Sequence, residues 1–204
     1  MSFLESITDG TNLMLRNLTR ATDLLGNFKQ VASDQASEQR RSFDLSEVVR
    51  EVISTLSPTL KRQRHRVEQD IPAGITLDSY PGPLGQIVIN LINNAYLHAF
   101  EGRDLMNPGV LSIRAERTTA EAGDERIRIE FADNGVGIPP ENLERLFQPF
   151  FSTKIGQGGT GLGMTIVESL VKKPLGGCLT VSSTIGVGTT FVIDLPVVAP
   201  HPKS

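Results

Sequence analysis

The sequence predicts an α+β fold, a two-layer α/β sandwich in which helices cover one face of a mixed β-sheet, preceded by a long N-terminal helix. A heptad pattern runs through residues 3–36, and apolar residues recur at helical spacing in later segments. Between those helices lie pairs of segments in which apolar and polar residues alternate, as they do in half-buried strands. With 39% hydrophobic residues among 204, the chain can bury a sizeable core.

The N-terminal helix is predicted over residues 3–36. Mostly apolar residues recur in steps of four and three from Ile7 to Ala32, a seam that another helix has to cover. No similar segment lies nearby in the sequence, so we expect the partner helix to be missing or to come from another chain. The alternative is that the seam packs on this chain's own globular domain. We place this unit at residues 1–42, ending in the polar linker SDQASEQRRS, and the globular domain at 43–197.

The globular domain is predicted to begin with a helix in FDLSEVVREVISTLSPTLKRQ, capped by Asp44 with Glu47 at the capping-box position. The later elements are short strands in HRVEQDIP and ITLDSY, a helix in PGPLGQIVINLINNAYLHAFEG, antiparallel strands in GVLSIRAER and ERIRIEFAD, helices in PENLERLF and GMTIVESLVKK, and a closing hairpin of CLTVSS and TTFVIDLP. Residues 198–204 are expected to form a disordered tail.

Composition and charge exclude several classes of function. A net charge of -3, without a basic stripe interleaved with aromatic residues, gives no reason to expect a nucleic-acid partner. The single Cys178 excludes a disulfide framework and a multi-cysteine metal site, and we expect it to be a small core residue. No apolar run approaches the ~18 residues of a membrane span, and no signal-peptide pattern opens the chain, which predicts a soluble cytoplasmic protein that is not itself membrane-bound.

One glycine pattern is rejected on its context. Gly156, Gly158 and Gly161 match G-x-G-x-x-G, but the preceding LFQPFFSTK is not a buried strand and no βαβ unit surrounds the match. The P-loop pattern does not occur anywhere in the chain. Neither of these two common nucleotide motifs is therefore predicted.

Asn90 and Asn94 lie four residues apart in a predicted helix and therefore share a face. Two carboxamides stacked in this way can offer oxygen ligands to a hard cation such as Mg²⁺. The alternative is a pair of solvent-facing or capping asparagines. Taken alone, the pair favours this alternative, since Asn is a poor helix former but a common one in helices.

The stretch DNGVGIP, residues 133–139, follows the predicted strand ERIRIEFAD. Asp133 can accept a hydrogen bond from an exocyclic amine, and Gly135 and Gly137 let the backbone approach a flat base closely. The alternative is a hairpin turn, but the residues that follow predict a helix rather than a returning strand.

Aromatic and glycine-rich segments come next. Phe147, Phe150 and Phe151 cluster in LFQPFFSTK, where they either anchor a mobile loop or pack into the core, and Thr153 and Lys154 at its end could reach a phosphate. The run GQGGTGLGM then leads into a helix, whose N-terminal amides and dipole favour phosphate. A flexible linker is the alternative for this run.

In this order, the four segments resemble the N, G1, F and G2 boxes of sensor histidine kinases, which belong to the ATPase superfamily of the Hsp90 chaperone, DNA gyrase B and the MutL repair protein. The matching patterns are Asn90-x-x-x-Asn94-Ala95, Asp133-x-Gly135-x-Gly137-Ile138, Phe147-x-x-Phe150-Phe151 and Gly159-x-Gly161-Leu162-Gly163. The resemblance covers about residues 43–197 and implies a Bergerat-type ATP-binding fold.

The resemblance implies ATP and Mg²⁺ as ligands. Asp133 would take the adenine amino group, His98 would lie near the adenine, and Asn90 and Asn94 would hold Mg²⁺. The nucleotide-binding set that it implies is Asn94, His98, Asp133, Gly135, Gly137, Ile138, Phe150, Thr153, Lys154, Gly159, Thr160, Gly161, Leu162 and Gly163, and the catalytic set is Asn90, Asn94 and Lys154. Related hydrolases usually carry Glu at the Asn90 position, so an amide there favours phosphoryl transfer over hydrolysis.

The resemblance also implies partners. The long first helix is similar to the second helix of a dimerisation and phosphotransfer domain, so the intact protein is expected to be a homodimer that passes phosphate to a response-regulator receiver domain. No His-Glu-x-x-x-Pro box occurs, and no histidine precedes His65, so we expect a C-terminal piece that lacks the phosphoacceptor. Alternatives are an ATP-gated regulatory module, a phosphatase-biased degenerate kinase, and a serine kinase of the anti-sigma type.

Overall fold

The computed structural model describes residues 39–63, 65–102, 106–120, 123–155 and 157–200, apart from the side chains of residues 59 and 61–63. The predicted N-terminal helix with its seam, Gly156, and residues 201–204 of the predicted tail lie outside the described residues. The elements are β1 (Arg41–Asp44), α1 (Leu45–Gln63), β2 (Arg66–Asp70), β3 (Thr76–Ser79), α2 (Pro81–Asn94), a π-helical turn (Ala95–Ala99), β4 (Val110–Thr119), β5 (Glu125–Asp133), α3 (Pro140–Leu143), α4 (Gly163–Lys172), β6 (Cys178–Thr184) and β7 (Gly188–Pro196).

The main sheet has five strands in the order β2-β4-β5-β7-β6. β2 and β4 are parallel, and the other neighbours are antiparallel. Alternate residues of β4, β5 and β7 are buried, and they form one core with the apolar faces of α1, α2 and α4. The predicted mixed sheet with helices on one face is confirmed.

The opposite face of the sheet is charged. Arg114 stands opposite Glu130, and Glu116 stands opposite Arg128, on neighbouring strands β4 and β5. Each pair has its closest nitrogen and oxygen atoms 3.9 Å apart, and the side chains are exposed. Exposed pairs of this kind add little stability, but they keep this face in water, so that one face alone packs against helices.

A second, two-stranded sheet was not predicted. β1 pairs antiparallel with β3, with Phe43 opposite Leu77. Arg40, in the stretch expected to be a linker, donates two hydrogen bonds of 2.9 and 2.7 Å to Asp78. The short strands β2 and β3 are therefore not partners of each other, because β2 joins the main sheet beside β4.

Asp44 caps α1 as expected. Its Oδ1 accepts hydrogen bonds from the Ser46 amide at 2.8 Å and the Ser46 hydroxyl at 2.6 Å, and its Oδ2 accepts one from the Gly74 amide at 2.8 Å. The Ser46 hydroxyl, together with these amides, holds the pKa of Asp44 below its ordinary value. The cap therefore fixes both the start of α1 and the turn before β3.

The packed chain continues beyond residue 197, where we had placed the end of the domain. Ala199 is buried, and its amide donates a 2.9 Å hydrogen bond to the Asp78 carbonyl. Cys178, expected in the core, is instead exposed at the start of edge strand β6, so that expectation was wrong. Within the described ranges, no helix has the length and apolar character needed to cross a membrane.

Candidate functional site

Helix α2 carries the asparagine pair and changes its winding just after it. Residues Leu84, Ile87, Val88, Leu91 and Ile92 are buried against the sheet, which leaves Asn90 and Asn94 on an adjacent, half-buried face. From Ala95 to Ala99 the helix widens to a π turn. The Phe100 amide closes this turn by donating a 3.2 Å hydrogen bond to the Ala95 carbonyl. Such turns are frequent at functional sites.

Beside this helix lies a cavity of about 820 Å³, within the usual range for ligand sites. Its wall brings together most of the residues predicted from the four segments: Asn90, Asn94, His98, Asp133, Gly137, Ile138, Thr153, Lys154, Gly159, Thr160, Gly161 and Gly163. Three predicted residues, Gly135, Phe150 and Leu162, do not line it.

Asp133 is the last residue of β5 and lines the cavity. Its Oδ1 accepts hydrogen bonds from the Gly135 amide at 2.8 Å and the Thr189 amide at 3.2 Å. Thr189 lies opposite Asp133 on β7, so the carboxylate is oriented by its own loop and by the neighbouring strand. A carboxylate fixed in this way is a directional hydrogen-bond acceptor.

The glycines of the 133–139 loop allow backbone to pack against backbone. A Cβ at Gly135 would overlap the Ala99 carbonyl, and a Cβ at Gly137, which has a φ of +75°, would overlap the Thr184 carbonyl. Gly135 therefore packs against the π turn and does not line the cavity. Val136 continues this contact with a 2.8 Å hydrogen bond from its amide to the Ala99 carbonyl.

The hydroxyl of Ser183 ties the 133–139 loop to the hairpin of β6 and β7. It accepts a 2.8 Å hydrogen bond from the Ile138 amide and donates one of 3.0 Å to the Gly188 carbonyl. Its one proton is then used, so the Thr189 hydroxyl, 2.9 Å away, donates to it. Neither Ser183 nor Thr189 was identified from the sequence, because only the fold brings the hairpin to the loop.

The aromatic cluster divides between three environments. Phe147 packs against the core, Phe151 lines the cavity beneath the Arg145 guanidinium (4.4 Å from its ring centre), and Phe150 is 60% exposed. Phe150 has a φ of +66°, and its amide donates a 2.9 Å hydrogen bond to the Gly161 carbonyl. Its backbone thus anchors the glycine-rich loop (residues 152–162), whereas its ring is exposed and does not line the cavity.

Four side chains connect the glycine-rich loop to the region of the π turn. The Lys154 ammonium lies 2.7 Å from the Glu101 carboxylate, and His98 Nδ1 lies 3.2 Å from the Thr153 hydroxyl. Burial, then the nearby Lys154 charge, lowers the pKa of His98 against the opposing effect of Glu101. The hydrogen bond and charge of Lys154 in turn lower the pKa of Glu101.

Other cavity residues were not identified as site residues from the sequence. Leu97, Leu146, Met164, Ile166 and Ile185 supply apolar surface to the wall. Leu97 could have been found from its position three residues after Asn94, on the same side of the helix. Ile185 at the hairpin tip had no signal in the sequence beyond the turn itself.

The asparagine pair fits a magnesium ion held jointly with phosphates. The Asn90 amide nitrogen is buried and has no hydrogen-bond partner, and the Asn90 amide oxygen lies beside Gly163 at the start of α4. Rotating the amide exchanges its two atoms and turns the oxygen toward the position of the unpartnered nitrogen. Among the described residues no three His, Cys, Asp or Glu side chains form a metal cluster. The oxygen donors that Asn90 and Asn94 can offer to a hard cation are their side-chain amide oxygens.

Comparisons with known proteins agree with this geometry. Residues 80–199 match the family described as histidine kinase-, DNA gyrase B-, and HSP90-like ATPase. Sporulation kinase B of Bacillus subtilis is 30% identical over 197 residues, which are 97% of this chain and 43% of that protein. Sensor histidine kinase ZraS of Salmonella typhimurium is 40% identical over 119 residues, which are 58% of this chain and 23% of that protein.

A solved structure shares the fold. The catalytic domain of histidine kinase ThkA superposes with a TM-score of 0.65 at 24% identity, covering 78% of this chain and 97% of that domain. The chain thus spans less than half the length of the two curated relatives but nearly the whole of an isolated catalytic domain.

Proposed function

The chain belongs to the histidine kinase-, DNA gyrase B- and HSP90-like ATPase family, and from this premise we propose that its cavity binds ATP with Mg²⁺ for transfer of the γ-phosphoryl group to a histidine. One observation supports the proposal above others. Three segments far apart in the sequence, around Asn90, Asp133 and Lys154, meet at one cavity of about 820 Å³. Each offers the chemistry that a different part of a magnesium nucleotide requires.

Asp133 binds the base in this proposal. Its carboxylate is held by the amides of Gly135 and Thr189, and it accepts a hydrogen bond from the exocyclic amine of adenine. Gly137 and Ile138 supply the wall against the base and ribose. The absence of a side chain at Gly137 lets this part of the loop pack against the Thr184 carbonyl behind it.

The phosphate end is bound by Asn90, Asn94 and the glycine-rich loop. Asn90 and Asn94 hold Mg²⁺, which neutralises charge on the phosphates when it is bound. Lys154, Thr153 and the loop backbone contact the phosphates. Positioning and charge neutralisation are the main contributions that a protein makes to phosphoryl transfer.

The acceptor is proposed to be a histidine on a helical hairpin, followed by an aspartate on a response-regulator receiver domain. Asn90 is an amide and cannot act as a general base toward water, which favours transfer over hydrolysis. Residues 3–36, with their heptad pattern, are proposed to dimerise the intact protein, which works in the cytoplasm, where ATP is available.

Calorimetric titration with a non-hydrolysable ATP analogue, with and without Mg²⁺, tests the nucleotide site. We expect saturable binding that depends on Mg²⁺ and weakens at least tenfold in Asp133→Asn, about the 1.4 kcal/mol expected for a hydrogen bond to a charged group. Asp133→Asn keeps the oxygen that orients the loop, and Asp124→Asn, in the turn between β4 and β5, is the matched control. Equal binding by Asp133→Asn and the parent would contradict the role of Asp133.

Phosphotransfer is tested by adding a separate helical hairpin that carries a His-Glu-x-x-x-Pro box. An acid-labile, base-stable phosphate on the hairpin, formed from γ-labelled ATP, is the expected result. Nucleotide binding without any phosphohistidine on hairpins from several relatives would favour the ATP-gated regulatory module instead.

A further inference from the structure

The Glu101 carboxylate forms an ion pair with Lys154, the residue whose ammonium group is proposed to bind the phosphates. We propose that Glu101 competes with the nucleotide phosphates for Lys154, and that it thereby weakens the preference of the cavity for ATP over a ligand without phosphates. This inference rests on the proposed function of the cavity. Glu101 acts through Lys154 and is therefore a positioning residue.

The contact that carries this inference is short and lies on the cavity wall. Lys154 Nζ is 2.7 Å from Glu101 Oε2, and both residues line the cavity. The Lys154 side chain is 17% exposed, whereas the Glu101 side chain is 63% exposed. The ammonium therefore stays near the cavity, and the carboxylate can turn into water when another anion replaces it.

The backbone around Lys154 is fixed, so the exchange concerns its side chain. The Lys154 amide donates a 3.1 Å hydrogen bond to the Ser152 hydroxyl, and the Lys154 carbonyl accepts hydrogen bonds from the Gln157 and Gly159 amides at 3.0 and 3.2 Å. Thr153, one residue earlier, contacts His98 on the π turn. Because these contacts hold the loop beside the cavity, breaking the bond to Glu101 does not require the loop to leave.

Competition follows from charge. A single exposed carboxylate binds an ammonium weakly, whereas a polyphosphate offers several negative charges to the same group. Each nucleotide that uses Lys154 must first displace Glu101, which weakens its binding by the strength of that pair. A ligand that lacks phosphates does not use Lys154 and does not bear this cost.

The substitution Glu101→Gln tests the competition on the full chain. We expect a non-hydrolysable ATP analogue to bind roughly 2- to 5-fold more tightly at low salt, the size of an exposed ion pair. Adenosine affinity should not change, and the gain for the ATP analogue should disappear near 1 M salt, where the charges are screened. Glu125→Gln, which removes the weaker 3.8 Å pair with Arg117 at the far end of β5, is the matched control and should change neither affinity.

A double-mutant cycle separates competition from simple repulsion. Glu101→Gln should give no gain in a Lys154→Gln background if Glu101 acts through Lys154. An equally large gain in affinity for the ATP analogue without Lys154 would show direct repulsion of the nucleotide by Glu101 and would overturn the proposal. The proposal is also overturned if Glu101→Gln raises adenosine affinity as much as affinity for the ATP analogue, or if it raises neither. Absence of any nucleotide binding by the parent chain would overturn the proposed function itself, and the competition with it.

Discussion

The Ile138 amide donates a 2.8 Å hydrogen bond to the Ser183 hydroxyl, across 45 residues of chain. This bond links the 133–139 loop to the closing hairpin, and the same hydroxyl contacts Gly188 and Thr189. We expect Ser183→Ala to lower the free energy of unfolding by about 1–2 kcal/mol, because a half-buried amide loses its partner. Nucleotide affinity should fall as well, since Asp133 is oriented by the Thr189 amide next to this network.

Urea denaturation and calorimetric titration of the same variants measure the two effects. Ser183→Thr keeps the hydroxyl and should recover most of the affinity. Ser182→Ala, one residue earlier and exposed on the other side of β6, is the matched control and should leave both quantities unchanged. A Ser183→Ala protein that binds as tightly as the parent would show that the link does not position the loop.

Gly137 is predicted to be intolerant of any side chain. Its φ is +75°, and a Cβ would overlap the Thr184 carbonyl. Gly74 has a similar φ of +84°, but nothing lies within 4 Å of a Cβ there. Gly74→Ala should therefore cost only the roughly 1–2 kcal/mol of a left-handed alanine, whereas Gly137→Ala should cost at least about 1 kcal/mol more, because of overpacking.

The comparison is made by chemical denaturation of the two variants and the parent. Equal losses of unfolding free energy in Gly74→Ala and Gly137→Ala would mean that the hairpin moves aside without cost. In that case the close approach of the loop to β6 would not be a fixed feature of the site.

Stability is predicted to depend on pH through His98. Burial and the Lys154 charge lower its pKa in the folded state, whereas the unfolded histidine has the ordinary value of about 6.5. Between these two pKa values the unfolded chain binds more protons, so the free energy of unfolding falls as pH decreases from about 6.5 toward the folded-state pKa. At pH values above about 6.5 both the folded and the unfolded histidine are largely neutral, so none of this stability is lost.

Denaturation at pH 5 and pH 7.5 measures this dependence. His98→Gln should show a smaller loss of stability between the two pH values than the parent. His65, whose pKa burial also lowers, contributes in the same direction, so His65→Gln is the parallel variant. If His98→Gln and the parent lose the same free energy, the proton uptake belongs to other groups.

The parts of the site that the sequence predicted are those whose signal is local. Asn90 and Asn94 share a face because of helical spacing alone, and Asp133 ends a strand whose alternation is clear. Neither property needs the rest of the fold. The cavity then forms where the C-terminal ends of α2 and β5 come together.

The parts that were missed depend on distant partners or on backbone conformation. β1 is a four-residue strand that exists because β3 lies beside it, and no alternation in RSFD marks it. Gly135 was expected to face the ligand, but the π turn occupies the space next to it. The conformation of Phe150, with its positive φ, cannot be read from a sequence in which Phe150 and Phe151 are chemically identical.

The neighbouring residues Phe150 and Phe151 are predicted to affect nucleotide binding differently. Phe151 lines the cavity, whereas Phe150 is exposed and contributes only backbone to the anchor at Gly161. Phe151→Ala should weaken binding of the ATP analogue by roughly fivefold or more, since it removes apolar wall and the ring beneath Arg145, each worth on the order of 1 kcal/mol. Phe150→Ala keeps the hydrogen bond from the residue 150 amide to the Gly161 carbonyl, and this variant should bind the ATP analogue as tightly as the parent.

Calorimetric titration of the two variants decides between them, with denaturation curves to confirm that both are folded. Loss of affinity in Phe150→Ala, with Phe151→Ala unchanged, would mean that the loop reverses the two rings when nucleotide binds. The backbone at Phe150 would then have to leave its positive φ, and the hydrogen bond to the Gly161 carbonyl would have to break. Equal losses in both variants would instead show that the cluster acts as one packed unit and that neither ring is specific to the cavity.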